Sequence, residues 1–99
     1  MSKDQLYQNA VDREAEKLLT VSKEFLLNIS DCGSFRSTIE DKEIHIAFWH
    51  WKFDNGSHHI VFIAQRNVFL FLYRKYLAGV KLENDEIQAL SPSELGCYD

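Results

Sequence analysis

Apolar and polar positions change period along this chain, and each change predicts an element. From Lys3 to Ile29 the apolar residues recur at helical spacing. Tyr7, Val11, Leu18, Val21, Phe25 and Ile29 make a stripe, which Leu6, Ala10, Leu19 and Leu26 widen and Glu14 interrupts. Ser2 suits the N-cap, Asp4 suits the positive end of the helix dipole, and Gly33 suits a stop. One helix over this span would be about 40 Å long at 1.5 Å per residue. That exceeds what a small sheet can cover, so part of the stripe is expected to pack elsewhere.

Ser34 to Ile39 reads as a short first strand, turning near Asp41-Lys42. Glu43 to Gln65 then reads as a long hairpin about Asn55-Gly56. A two-residue Asn-Gly loop favours a type I′ turn, because both central residues need positive φ. That turn pairs Asp54 with Ser57, Trp51 with Ile60 and Trp49 with Phe62. Alternation of side chains puts His45, Ala47, Trp49, Trp51, Phe53, His58, Ile60, Phe62 and Ala64 on one face. The other face receives Ile44, Ile46, Phe48, His50, Lys52, His59, Val61 and Ile63. Neither set is polar away from the turn, so both faces are expected to be covered, by the chain's own helices or by a second copy.

Asn67 to Ala78 predicts a second, nearly all-buried helix. Asn67 would cap it, Phe69, Leu72, Tyr73, Tyr76 and Leu77 would form its stripe, and Gly79 would end it. The aromatic, β-favouring run Val68 to Tyr73 also fits a strand. Val80–Glu83 and Glu86–Leu90 read as a hairpin about Asn84-Asp85, and Ser91-Pro92-Ser93-Glu94 has the shape of a capping box. The expected architecture is a single α+β domain over residues 1–99. It has a long N-terminal helix, an antiparallel sheet built around the central hairpin (43–65), a second buried helix (67–78) and a short C-terminal hairpin.

Composition agrees with one domain. The 99 residues are 45% hydrophobic and 13% aromatic, enough apolar area for a core without cross-links. The net charge of −4, with basic residues scattered among acids, argues against nucleic acid as a partner. No apolar run approaches the roughly 18 residues of a membrane span, and the first twenty residues are polar and mixed in charge. A cytoplasmic protein is expected, with no membrane partner and with Cys32 and Cys97 as thiols.

Candidate chemistry is sparse. In the predicted register His50 and His59 are diagonal neighbours with Asp54 further along, a set that could ligate a divalent ion. Histidine is equally at home as an ordinary sheet residue, so no metal ligand is assigned, and no cofactor is expected. Trp49, Trp51, Phe53 and Phe62 form an aromatic stripe that could be core, interface or the wall of a pocket. The candidate ligand-binding residues are therefore Trp49, Trp51 and Phe62, with His45 and His50 as polar groups. No nucleophile elbow, activated cysteine motif or glycine-rich phosphate loop is present, and no catalytic residue is assigned. These features suggest a non-enzymatic protein-interaction or regulatory module acting as a homodimer, or with a different protein as partner. The alternative is a small-ligand-binding protein or simple enzyme with a pocket against the aromatic sheet face.

Overall fold

The computed structural model describes residues 2–98. Helix α1 (Lys3–Leu18) is followed by the short helix α2 (Lys23–Leu27). Five strands come next: β1 (Cys32–Ile39), β2 (Lys42–Lys52), β3 (His58–Phe69), β4 (Leu72–Glu83) and β5 (Glu86–Ala89). Helix α3 (Pro92–Leu95) and a 3-10 turn (Gly96–Tyr98) close the chain. The strands form one antiparallel meander in chain order, β1-β2-β3-β4-β5. The α+β class, a helix at the start of the chain and the C-terminal hairpin agree with expectation, whereas the long N-terminal helix does not hold as one piece.

The N-terminal stripe forms two helices rather than one. Ser2 caps α1, its Oγ accepting from the Gln5 N–H at 3.1 Å. After Leu19 the run Thr20-Val21-Ser22 leaves the helix. Two β-branched residues and a serine favour a cap over a helix interior, and extended Ser22 starts α2 by accepting from the Phe25 N–H. The break lets Leu26 bury completely and brings Val21, Leu27 and Ile29 against the core.

One face of the sheet lies under α1. Leu6, Ala10, Val11, Ala15 and Leu18 of the helix pack in a single cluster with Ile44 and Ile46 of β2, Ile60, Phe62 and Ala64 of β3, and Tyr76, Ala78, Val80 and Leu82 of β4.

The β2–β3 turn differs from the expected type. Phe53 and Ser57 close it, through Phe53 N–H to the Ser57 carbonyl at 2.9 Å and Gly56 N–H to the Phe53 carbonyl at 3.0 Å. Only Gly56 has positive φ (87°), so this is a three-residue loop with glycine in the left-handed position. The Asn55 side chain holds the loop by accepting from the Ser57 N–H at 2.9 Å. The extra loop residue slips the register by one. Trp51 faces His59, Trp49 faces Val61 and Phe48 faces Phe62. A slip of one residue exchanges the faces of one strand relative to the other. Phe62 therefore joins the core beside Phe35 and Phe48, with ring centroids 6.1 and 6.3 Å away, and does not share a face with the tryptophans. The two-residue turns with both central φ positive lie elsewhere, at Glu40-Asp41 and Asn84-Asp85.

The predicted buried helix over 67–78 is instead strand, turn and strand. β3 runs on to Phe69 and β4 begins at Leu72, with a bulge between Asn67 and Phe69. Asn67 does not cap a helix: its side-chain amide donates to the Leu70 carbonyl at 3.0 Å and closes the turn. Residues Tyr76, Ala78 and Val80 alternate into the core at strand period. Gly79 is likewise not a helix cap. It lies in β4, where a Cβ would press on the Ile60 carbonyl and come within 2.9 Å of Leu90 Cδ1 and 3.1 Å of Val61 Cα.

The two glycines should respond differently to alanine. At Gly56 nothing would touch the added methyl, so only the φ penalty acts and Gly56→Ala should cost about 1 kcal/mol. Gly79→Ala should cost more, about 1–3 kcal/mol from overpacking against backbone. Urea denaturation of both variants checks the order, and an unchanged midpoint for Gly79→Ala would contradict the close packing of Leu90 on β4.

Candidate functional site

The face of the sheet away from α1 is only partly covered. At one end the C-terminal segment folds over it. Ser91 and Glu94 form a reciprocal capping box that starts α3, and Lys81 Nζ meets Glu94 Oε2 at 2.8 Å. Tyr98 then reaches the sheet. Its ring stacks on Trp51 with centroids 5.9 Å apart, and its hydroxyl lies 2.7 Å from His59 Nδ1. Trp49 continues the ladder 6.4 Å beyond Trp51. A cleft of about 370 Å³ opens beside Tyr98, lined by Trp51, Phe53, His59, Glu94 and Cys97.

At the other end the sheet forks. Pairing between β2 and β3 runs from Lys52–His58 to Ala47–Ile63 and stops. Beyond it, Lys42–Ile46 stays with β1 and Ala64–Phe69 stays with β4. Over the fork lies a broad cleft of about 820 Å³, lined by His45, Ala47, Trp49, Ile63 and Tyr73, with Glu43 and Lys75 at its rim. Tyr7 of α1 also lines the cleft, its ring 5.4 Å from that of Tyr76.

The β3–β4 arm carries six successive exposed apolar residues, Val68, Phe69, Leu70, Phe71, Leu72 and Tyr73. Phe71 at its tip is 91% exposed. The base of the arm is fixed to the start of α1. Arg66 Nη2 and Arg74 Nη1 each reach a separate oxygen of Asp4 at 2.7 Å, and the Tyr76 hydroxyl donates to the same carboxylate. The Tyr76 hydrogen bond, followed by that from Arg66, holds the Asp4 carboxyl below its ordinary value.

The five candidate residues divide. His45, Trp49 and Trp51 share the open face, while Phe62 is in the core. His50 is also buried, at 5% exposure. Its Nδ1 lies 2.8 Å from the Ile29 carbonyl, which requires an N–H there. Its Nε2 is then the acceptor for His58 Nδ1–H, also at 2.8 Å. Both ring nitrogens are engaged, and His59 is on the opposite face, so the imagined His50–His59 ligand pair does not form. Among the described residues no group of three or more His, Cys, Asp or Glu side chains is arranged to hold a metal ion. Cys32 and Cys97 are free and exposed. Tyr98, Tyr7 and the arm were not legible as site residues. The alternation of Trp49 and Trp51 was the one sequence signal of the open face.

Among the described residues no helix is long and apolar enough to cross a membrane. Comparison with known protein families, curated proteins and solved structures finds no match to this chain.

The histidines predict a pH response. Burial holds His58 and His59 below the ordinary value of 6.5, aided at His58 by neighbouring His50 and Lys52. The unfolded chain therefore binds protons that the folded chain resists. Their contribution is complete above about pH 6.5 and is lost as the pH falls below it. A separate loss follows in stronger acid, where Asp4 and Glu94, the latter held at about 2 chiefly by Lys81, take up protons. Thermal melts between pH 7.5 and 5 should show the melting temperature falling with pH, and His58→Gln should flatten that slope. A flat profile for the native chain would contradict the burial of the histidine pair.

Proposed function

We propose that this chain is a non-enzymatic protein-interaction module that acts as a homodimer through its open aromatic face and apolar arm. One observation carries the reading: six consecutive apolar residues at the end of a two-stranded arm stay exposed among the described residues, Phe71 the most of them. Isolated exposed apolar side chains are ordinary, but a contiguous patch marks an interaction surface. At roughly 150–250 Å² per large aromatic side chain, the arm together with Trp49 and Trp51 exposes on the order of 900 Å². A stable interface needs about 800 Å² from each partner.

The backbone supports the same reading. Leu70 takes φ of 48° at the tip, a conformation that suits asparagine or glycine better than leucine. An exposed apolar residue in a conformation that costs stability is consistent with a binding role for the tip. The reading includes a cytoplasmic setting, in which exposed Cys32 and Cys97 stay as thiols. A regulatory role, with a different protein taking the same surface, is the form it would take if the homodimer is absent.

A second reading has one observation in its favour. The cleft beside Tyr98 has aromatic walls and His59 as a polar group, which suits a small flat ligand.

Sedimentation or light scattering at micromolar concentration tests the homodimer. The expected mass is twice the 11.6 kDa of the chain. Phe71→Asp should return the single-chain mass with little change in circular dichroism, because the Phe71 side chain is almost fully exposed. A single-chain mass for the native protein would contradict the homodimer.

A further inference from the structure

The molecule presents two complementary shapes on one surface, a projecting apolar arm and a recessed apolar cleft. We propose that in the homodimer the arm tip of each copy seats in the fork cleft of the other. This rests on the homodimer reading and specifies its geometry.

Three observations support a second copy as the occupant. First, the contact closes on itself. A two-fold interface uses the same patch on both partners, and here each copy offers one arm and one cleft. Leu70 at the tip and Ile63 in the cleft are seven residues apart on one arm, roughly 23 Å at about 3.3 Å per residue. Two arms laid antiparallel with that offset put each tip over the other cleft. The two-fold axis then passes near Arg66 and Asn67, midway between those positions.

Second, the cleft suits the tip. At about 820 Å³ it has room for several large side chains, and its lining includes Ala47, Trp49, Ile63, Tyr7 and Tyr73. The small Ala47 leaves the recess between larger neighbours. Seating the tip would cover Phe71, the most exposed of the large hydrophobic residues described, and the half-exposed Trp49 together.

Third, charge permits the approach. The chain carries net −4, and two acidic surfaces repel. The arm end is nearly balanced, with Lys3, Lys42, Arg66, Arg74 and Lys75 against Asp4, Glu40, Asp41 and Glu43. The excess acid is at the far end, where Glu24, Asp31, Asp54, Glu83, Asp85 and Glu86 outnumber Lys23 and Lys52. Association through the arm end keeps the acidic ends apart.

Cross-linking of the full chain tests the arrangement without removing Phe71. In a Cys32→Ser, Cys97→Ser background, one chain carries Leu70→Cys and a second, distinguished by an affinity tag, carries Ala47→Cys. The two are mixed, allowed to exchange and oxidised. The expected result is a dominant disulfide between the two different chains, because each tip lies over a cleft. Each chain oxidised alone should cross-link several-fold less, since the two tips are held roughly 23 Å apart. Prevailing tip-to-tip or cleft-to-cleft cross-links would overturn the arrangement while leaving the homodimer intact. No enrichment over a urea-unfolded control, in a protein that sediments as a dimer, would also overturn it. If the native chain sediments as a monomer, the homodimer reading fails first and the arrangement fails with it.

Discussion

A mismatch of lengths governs this molecule. Helix α1 has sixteen residues, about 24 Å at 1.5 Å per residue, whereas β3 and β4 have twelve each, about 40 Å at 3.3 Å per residue. The molecule's longest dimension is 41 Å. One helix cannot cover such strands along their whole length. Where α1 lies over the sheet, the chain builds a closed core from Leu6 to Leu82. Past the start of α1, at the Asp4 carboxylate, β3 and β4 continue as an exposed two-stranded arm. The Asp4–Arg66–Arg74–Tyr76 cluster marks that limit and ties the base of the arm to the start of the helix.

The second face shows the same shortage of cover. The C-terminal segment reaches only its near part. Leu90 packs over Gly79 and Val61, and Tyr98 ends on Trp51 and His59. Trp49, His45 and the fork remain open. His50 and His58 solve a local problem of the core. The end of α2 must return to the sheet with the Ile29 carbonyl pointing inward, and buried His50 satisfies it while His58 satisfies His50. Such a chain of partners removes an unsatisfied polar group from the interior.

Much of this was legible in the chain, and the failures have definite causes. Ser2, the Asn84-Asp85 turn and the Ser91–Glu94 capping box depend on local chemistry, and local chemistry appears in local sequence. The tryptophans could be placed on one face because alternation needs no knowledge of the partner strand. The register was not legible, because Asn55-Gly56 serves two loop lengths equally well. Only the Phe53–Ser57 closure decides between them, and it takes Phe62 off the tryptophan face and puts His59 onto it. Residues 67–78 were misread because Asn67, the Arg74-Lys75 pair and Gly79 mimic the caps of a helix. Asn67 in fact closes a turn, and Gly79 makes room for Ile60 and Leu90. The turn at Leu70-Phe71 has no glycine or asparagine at its centre, so nothing in the sequence announced it. Tyr98 was missed because its role depends on the C-terminal segment folding back over the sheet.

In the proposed homodimer a second copy covers the open face and arm. Trp49 and Trp51 are the chain's only tryptophans, and both lie on that face. Their emission therefore reports on the cover of that face, with Trp51 already stacked on Tyr98 and Trp49 the more responsive of the two to a second copy. Diluting the native protein from micromolar to low nanomolar concentration should shift the emission to the red as the dimer separates, while the far-ultraviolet circular dichroism measured over the accessible concentrations stays constant. Phe71→Asp should show the red-shifted spectrum at every concentration. An emission maximum that is independent of dilution and identical in Phe71→Asp would contradict the account.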